Sequence, residues 1–138
     1  MNEFLSEFRT FSYVIKKSPS FLLFAHTRPD ADTIGATVAL AEFLRKKGKE
    51  VALACFDPFP PHLSELFLET PATFLHPDQL DIYRYGVVIA CDSVDRGFDR
   101  ILRQLKSQQV TVTLDHHPGV SIPSDVEMVD AEYSSTCE

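Results

Sequence analysis

Apolar residues along this chain follow two rhythms. Phe4, Phe8, Phe11 and Ile15, joined by Leu5 and Val14, recur at helical spacing until Ser18-Pro19-Ser20 interrupts them, which predicts a helix over roughly residues 3–17. The run FLLFAH, Phe21 to His26, is continuous and too short for a helix between breakers, so it reads as a buried strand. Ile34, Val38, Ala41 and Leu44, flanked by Leu40 and Phe43, then form a stripe opposite Thr37, Glu42, Arg45 and Lys46. Gly48, after a basic last turn, is the expected helix stop. Val51 to Cys55 reads as a second strand, and DPFPPH, Asp57 to His62, as a proline-rich loop unfit for any regular element. Residues 63–85 carry weaker signals: a short helix around Leu63 to Leu68, a short strand near Phe74 and a turn at His76-Pro77-Asp78. Gly86 to Asp92 is a further strand, and Phe98, Ile101, Leu102 and Leu105 mark a helix. Val110 to Leu114 and Val126 to Val129 complete the set.

Strands alternating with amphipathic helices imply parallel pairing, so the expected fold is α/β: a doubly wound, mostly parallel sheet with helices on both faces. In that architecture ligands bind beyond the carboxyl ends of the strands, at a topological switch point. With 138 residues, 44% of them hydrophobic and 24% charged, the material suffices for one domain, 1–138, and not for two. The formal charge of -7 argues against a broad grip on long-duplex nucleic acid. Divalent cations could still make an acidic crevice locally attractive to phosphate. No apolar run reaches the length of about 18 residues that a membrane span needs, and no leader pattern precedes the first helix, so the expected compartment is the cytoplasm. Cys55, Cys91 and Cys137 are odd in number and lack CxxC spacing, and are read as reduced thiols.

The chemistry gathers where the apolar runs stop. His26, Asp30 and Asp32 follow the first strand, Asp92 follows VVIAC, and Asp115, His116 and His117 end VTVTL. Pro29 biases Arg28 toward an extended backbone. Asp30 and Asp32 fall at a helix N-terminus, where one carboxylate can cap and another complement the dipole; capping needs only one. The adjacent histidines are expected to diverge, one inward and one along the crevice. Four aspartates and three histidines without thiolate suit two manganese ions, with magnesium the alternative. Asp92, on a central strand, is placed to bridge them, and ions about 4 Å apart would activate water and stabilise charge on phosphoryl oxygens. Ser135 and Glu138 have capping-box spacing, which announces a helix and leads us to expect the N-terminal part of a longer protein.

Taken in order, HTRPDAD, CDS, DHH and SST resemble the signatures of the DHH phosphoesterase family over roughly His26 to Thr136, in particular the nanoRNase and pAp-phosphatase branch. The resemblance implies a catalytic DHH domain whose substrate is a short oligonucleotide, as for an oligoribonuclease, or 3′-phosphoadenosine 5′-phosphate. It implies that His26 and Asp30 bind one manganese, Asp32 and His116 the other, and that Asp92 bridges. It gives His117 the substrate phosphate and leaving group, and has Asp115 brace the site. Arg28 is a candidate phosphate contact or a plain loop arginine; Ser134 and Ser135 are candidate donors to phosphate, with helix capping the other role for Ser135. A further metal-binding aspartate and a DHH-associated domain that holds the nucleotide would lie beyond Glu138. Two other readings stay open: a family II inorganic pyrophosphatase or exopolyphosphatase, and a metal-binding module without turnover. A homodimer is compatible with each.

Overall fold

A computed structural model describes residues 2–67, 72–93, 96–119 and 123–138. Helix α1, Asn2–Lys17, leads through Pro19 into β1, Ser20–Ala25, whose six residues are all buried. Then follow α2, Ala31–Lys46, β2, Glu50–Ala54, the minimal strand β3, Phe74–Leu75, β4, Val87–Cys91, the short α3, Phe98–Leu102, and finally β5, Val110–Asp115, and β6, Val126–Val129. The sheet runs β3-β2-β1-β4-β5-β6 and every pairing is parallel. That order places the switch point between β1 and β4, whose ends align as Ala25 opposite Cys91.

Alternation along the strands divides the core. Phe21, Leu23, Val87, Ile89 and Cys91 face α2 and Phe11 of α1, whereas Leu22, Phe24, Val88 and Ala90 face Phe98 and Ile101 of α3 together with Ile82 and Tyr85. Helices therefore cover both faces, and the expected doubly wound α/β class holds. Helix α1 packs against β6 at the sheet edge, and its Leu5 and Phe8 stay about half exposed, at 50% and 51%. Among the described residues no helix is long and apolar enough to cross a membrane.

Three local expectations need correction. The helix expected to run to Leu105 ends at Leu102 and continues as turns, since Arg103, Gln104 and Leu105 donate to the carbonyls of Asp99, Ile101 and Leu102. The proline-rich segment is not wholly irregular: a 3-10 helix, Pro61–Phe67, begins inside it, because proline lacks a hydrogen that the first turn does not need. Leu68, the far end of the short helix expected there, lies outside the described residues. The turn expected at His76-Pro77-Asp78 is present, as a 3-10 turn that the His76 ring and Gln79 side chain cap reciprocally. Arg28 is not extended but left-handed, at φ 51, because its N–H is drawn 2.7 Å from Asp57 Oδ2. Across the crevice Gly97, at φ 97, has no room for a side chain: a Cβ there would lie 2.8 Å from Thr27 Cγ2.

Candidate metal centre

The site is assembled from the β1–α2 loop, the end of β4 and the end of β5. His26 is buried directly after β1. Its Nδ1–H donates to the Thr27 carbonyl at 2.7 Å, which fixes the tautomer and leaves Nε2 facing Asp30 Oδ2 at 3.6 Å and Asp92 Oδ2 at 3.7 Å. Burial works against charge on this ring, but the bonds to Asp92 and Thr27 and the charges of Asp30 and Asp92 outweigh it, so its pKa lies above the ordinary 6.5. Asp30 both caps the helix and faces the crevice. Its Oδ1 caps α2 by accepting from the N–H groups of Asp32 and Thr33, and its Oδ2 stays turned to His26.

Asp92 is the centre of the arrangement. It is 1% exposed and left-handed at φ 56, a conformation that aspartate tolerates better than most residues, with its N–H held by the Leu114 carbonyl at 2.8 Å. Its oxygens divide: Oδ2 faces His26, while Oδ1 lies 3.6 Å from His116 Nε2 and 3.4 Å from His117 Nδ1. Asp32 Oδ2 approaches His116 Nε2 at 3.1 Å. Among the described residues, two groups able to hold an ion, His26-Asp30-Asp92 and Asp92-His116-His117, share Asp92.

Contrary to expectation, the adjacent histidines do not diverge. Both rings approach Asp92 Oδ1, and their centroids are 4.3 Å apart. The cause is Asp115, whose buried Oδ1 accepts from both histidine N–H groups and, at 2.7 Å, from His117 Nδ1. Strand alternation ends at this point, so the side chains no longer take opposite faces.

The candidate phosphate donors are less gathered. Arg28 is held by its backbone at the edge of the crevice, while both donors of Ser134 go to Glu138 Oε2, the N–H at 2.9 Å and Oγ at 2.6 Å. The expected capping box at Ser135 does not form. Residues 131–138 make turns and not a helix, so the carboxylate reaches the serine one position earlier. Ser135 lines a largely apolar cleft of about 360 Å³ beside His116, with Phe8, Met128 and Tyr133.

Two threonines that the sequence reading passed over hold the site together. Thr33 Oγ1 donates to the Cys91 carbonyl at 2.7 Å and accepts from His26 N–H at 3.3 Å, joining the ends of β1 and β4. Thr136 donates from its N–H to Asp32 Oδ2 at 3.1 Å and from Oγ1 to Asp92 Oδ1 at 3.0 Å. The only available signal was position: Thr33 follows the DAD run, and Thr136 ends SST.

The donor set suits a hard or borderline cation. Asp32 Oδ1 is buried without a hydrogen-bond partner, and three carboxylates, Asp30, Asp32 and Asp92, face the Nε2 atoms of only two imidazoles, His26 and His116. A divalent ion would supply the missing partner and balance.

A parallel α/β domain with a carboxylate–imidazole crevice at its switch point is the class these observations define. Residues 20–138 match the DHH family, N-terminal domain, and the chain belongs to that family. It is 29% identical over 134 residues to the uncharacterized protein MG371 of Mycoplasma genitalium, covering 94% of this chain and 39% of that protein. In fold it resembles an exopolyphosphatase-related protein from Bacteroides fragilis, with a TM-score of 0.80, 20% identity, and coverage of 96% of this chain and 41% of the other. The chain thus spans about two-fifths of the length of either relative.

Proposed function

We propose that this chain is the catalytic domain of a manganese-dependent phosphoesterase whose substrates are short oligonucleotides or 3′-phosphoadenosine 5′-phosphate. The observation that carries the reading is the division of Asp92, one oxygen toward His26 and the other toward His116 and His117. When bound, two manganese ions, or magnesium in their place, supply a water ionised near neutral pH and positive charge facing the phosphoryl oxygens. His26 and Asp30 would hold one ion, Asp32 and His116 the other, with Asp92 common to both. Asp115 engages His117 Nδ1, so Nε2 is the atom left to meet a phosphate oxygen and pass a proton to the leaving group. Arg28 and Ser135 remain candidates for the outer phosphate contacts.

A second reading, hydrolysis of pyrophosphate or polyphosphate, is favoured by the exopolyphosphatase-related description of the structural neighbour. The natural gene product carrying this domain, assayed with manganese against a dinucleotide, 3′-phosphoadenosine 5′-phosphate, pyrophosphate and polyphosphate, separates them. The first reading expects the nucleotides to turn over and Asp92→Ala to abolish that turnover. Turnover of pyrophosphate or polyphosphate alone selects the second reading, and retained activity in Asp92→Ala at saturating manganese refutes the bridging role.

A further inference from the structure

Three candidate ligands, each from a different part of the crevice, are all tied to one short stretch of chain. Asp32 Oδ2 accepts from Thr136 N–H, Asp92 Oδ1 accepts from Thr136 Oγ1, and His116 Nδ1 contacts the Tyr133 carbonyl at 3.3 Å. A carbonyl only accepts, so Nδ1 carries the hydrogen and His116 Nε2 presents a lone pair to the site. The stretch is pinned in turn. Ser134 binds Glu138, Tyr133 N–H reaches the Asp130 carbonyl, and Cys137 Sγ lies against α2 at Gly35, only 3.4 Å from where a Cβ would stand.

Two like charges, Asp32 and Asp92, both approach His116 Nε2. Like charges disfavour a shared site, so without an added donor the partly exposed Asp32 carboxylate would turn away from the buried Asp92 toward water. Thr136 opposes this by donating one hydrogen to each. Its hydroxyl fixes the plane of the Asp92 carboxylate, and its N–H selects which Asp32 oxygen turns inward and leaves the other, Oδ1, unpartnered.

We propose that Thr136 is a positioning residue that sets the metal affinity of the centre by holding Asp32 and Asp92 in ligating orientation through these two bonds. This rests on the metal reading above and adds a residue with no candidate role in it. Partners that orient ligands are typically worth about 10–100-fold in metal affinity. Only one of the two bonds is removed by mutation of the side chain, so the low end applies.

The test is calorimetric titration of manganese into the chain as wild type, Thr136→Val and Thr136→Ser, with thermal unfolding of each variant with and without metal. Thr136→Val should bind about tenfold more weakly and Thr136→Ser within about twofold of wild type. The metal-free melting temperature of Thr136→Val should change less than its metal-induced rise does. Binding by Thr136→Val within about twofold of wild type would overturn the inference while leaving the metal centre intact. Binding by Thr136→Ser as weak as by Thr136→Val would overturn it too, since the retained hydroxyl would then fail to hold the carboxylates. If wild type takes up no manganese, the metal reading itself fails and the inference with it.

Discussion

Thr33→Val keeps the side-chain volume at a fully buried position and removes one oxygen, which makes it a direct probe of how the two halves of the sheet are joined. The hydroxyl gives its hydrogen to the Cys91 carbonyl at 2.7 Å and takes one from His26 N–H at 3.3 Å. A buried group that loses its partner costs about 1–3 kcal/mol. The longer bond belongs at the bottom of that range, so the change should cost about 2–4 kcal/mol in total. At roughly 3–4 °C per kcal/mol for a domain of this size, the melting temperature should fall by about 10 °C. Thr33→Ser keeps both bonds and loses only a methyl, for about 1 kcal/mol. Urea unfolding of the metal-free chain, followed by circular dichroism, gives both differences. Thr33→Val as stable as wild type, or less harmful than Thr33→Ser, would refute the argument that these bonds join β1 to β4.

Two further expectations follow from side chains near the crevice. Because the folded pKa of His26 is raised, the stability its protonated form contributes is fully present below about pH 6.5 and is lost as pH rises through the folded value. Between about pH 6 and pH 8 the metal-free chain should therefore lose more stability than a His26→Asn variant, and equal slopes would refute this. Burial pushes the Cys91 thiol up to about 12 and raises Cys55 and Cys137 as well, but of the three only Cys137 is exposed to a reagent. Alkylation of the native chain near pH 8, read by mass spectrometry, should label Cys137 alone; modification of Cys91 without unfolding would contradict its placement.

Strands β1 and β4 were legible because a parallel strand buried on both faces is an unbroken apolar run, and its end is the first polar residue after it. That gave His26 and Asp92 their places directly, whereas β5 interleaves valine with threonine and showed itself by its β-branched residues up to Asp115. What the sequence could not show is how far side chains reach. Nothing local says that Asp57 pulls Arg28 into a left-handed turn, or that Thr136 bonds to Asp32 across 104 residues of chain. The two histidines depart from strand alternation for a related reason: the alternation stops where Asp115 gathers the backbone N–H groups of both. At the C-terminal segment, capping-box spacing named Ser135, but without a helix the Glu138 carboxylate bonds to Ser134.

The sheet order has a consequence for how the domain folds. β1 joins β2 on one side and β4 on the other, so the crevice is a seam between an early section bearing His26, Asp30 and Asp32 and a late section bearing Asp92, His116 and His117. These residues are separated by dozens of positions, and Thr136 comes later still, so loop closure must be completed before they meet. An ion binding there cannot nucleate the domain; it rewards a chain that has already finished folding. Metal uptake during refolding would accordingly trail secondary structure, timing the closure of the seam and not its beginning.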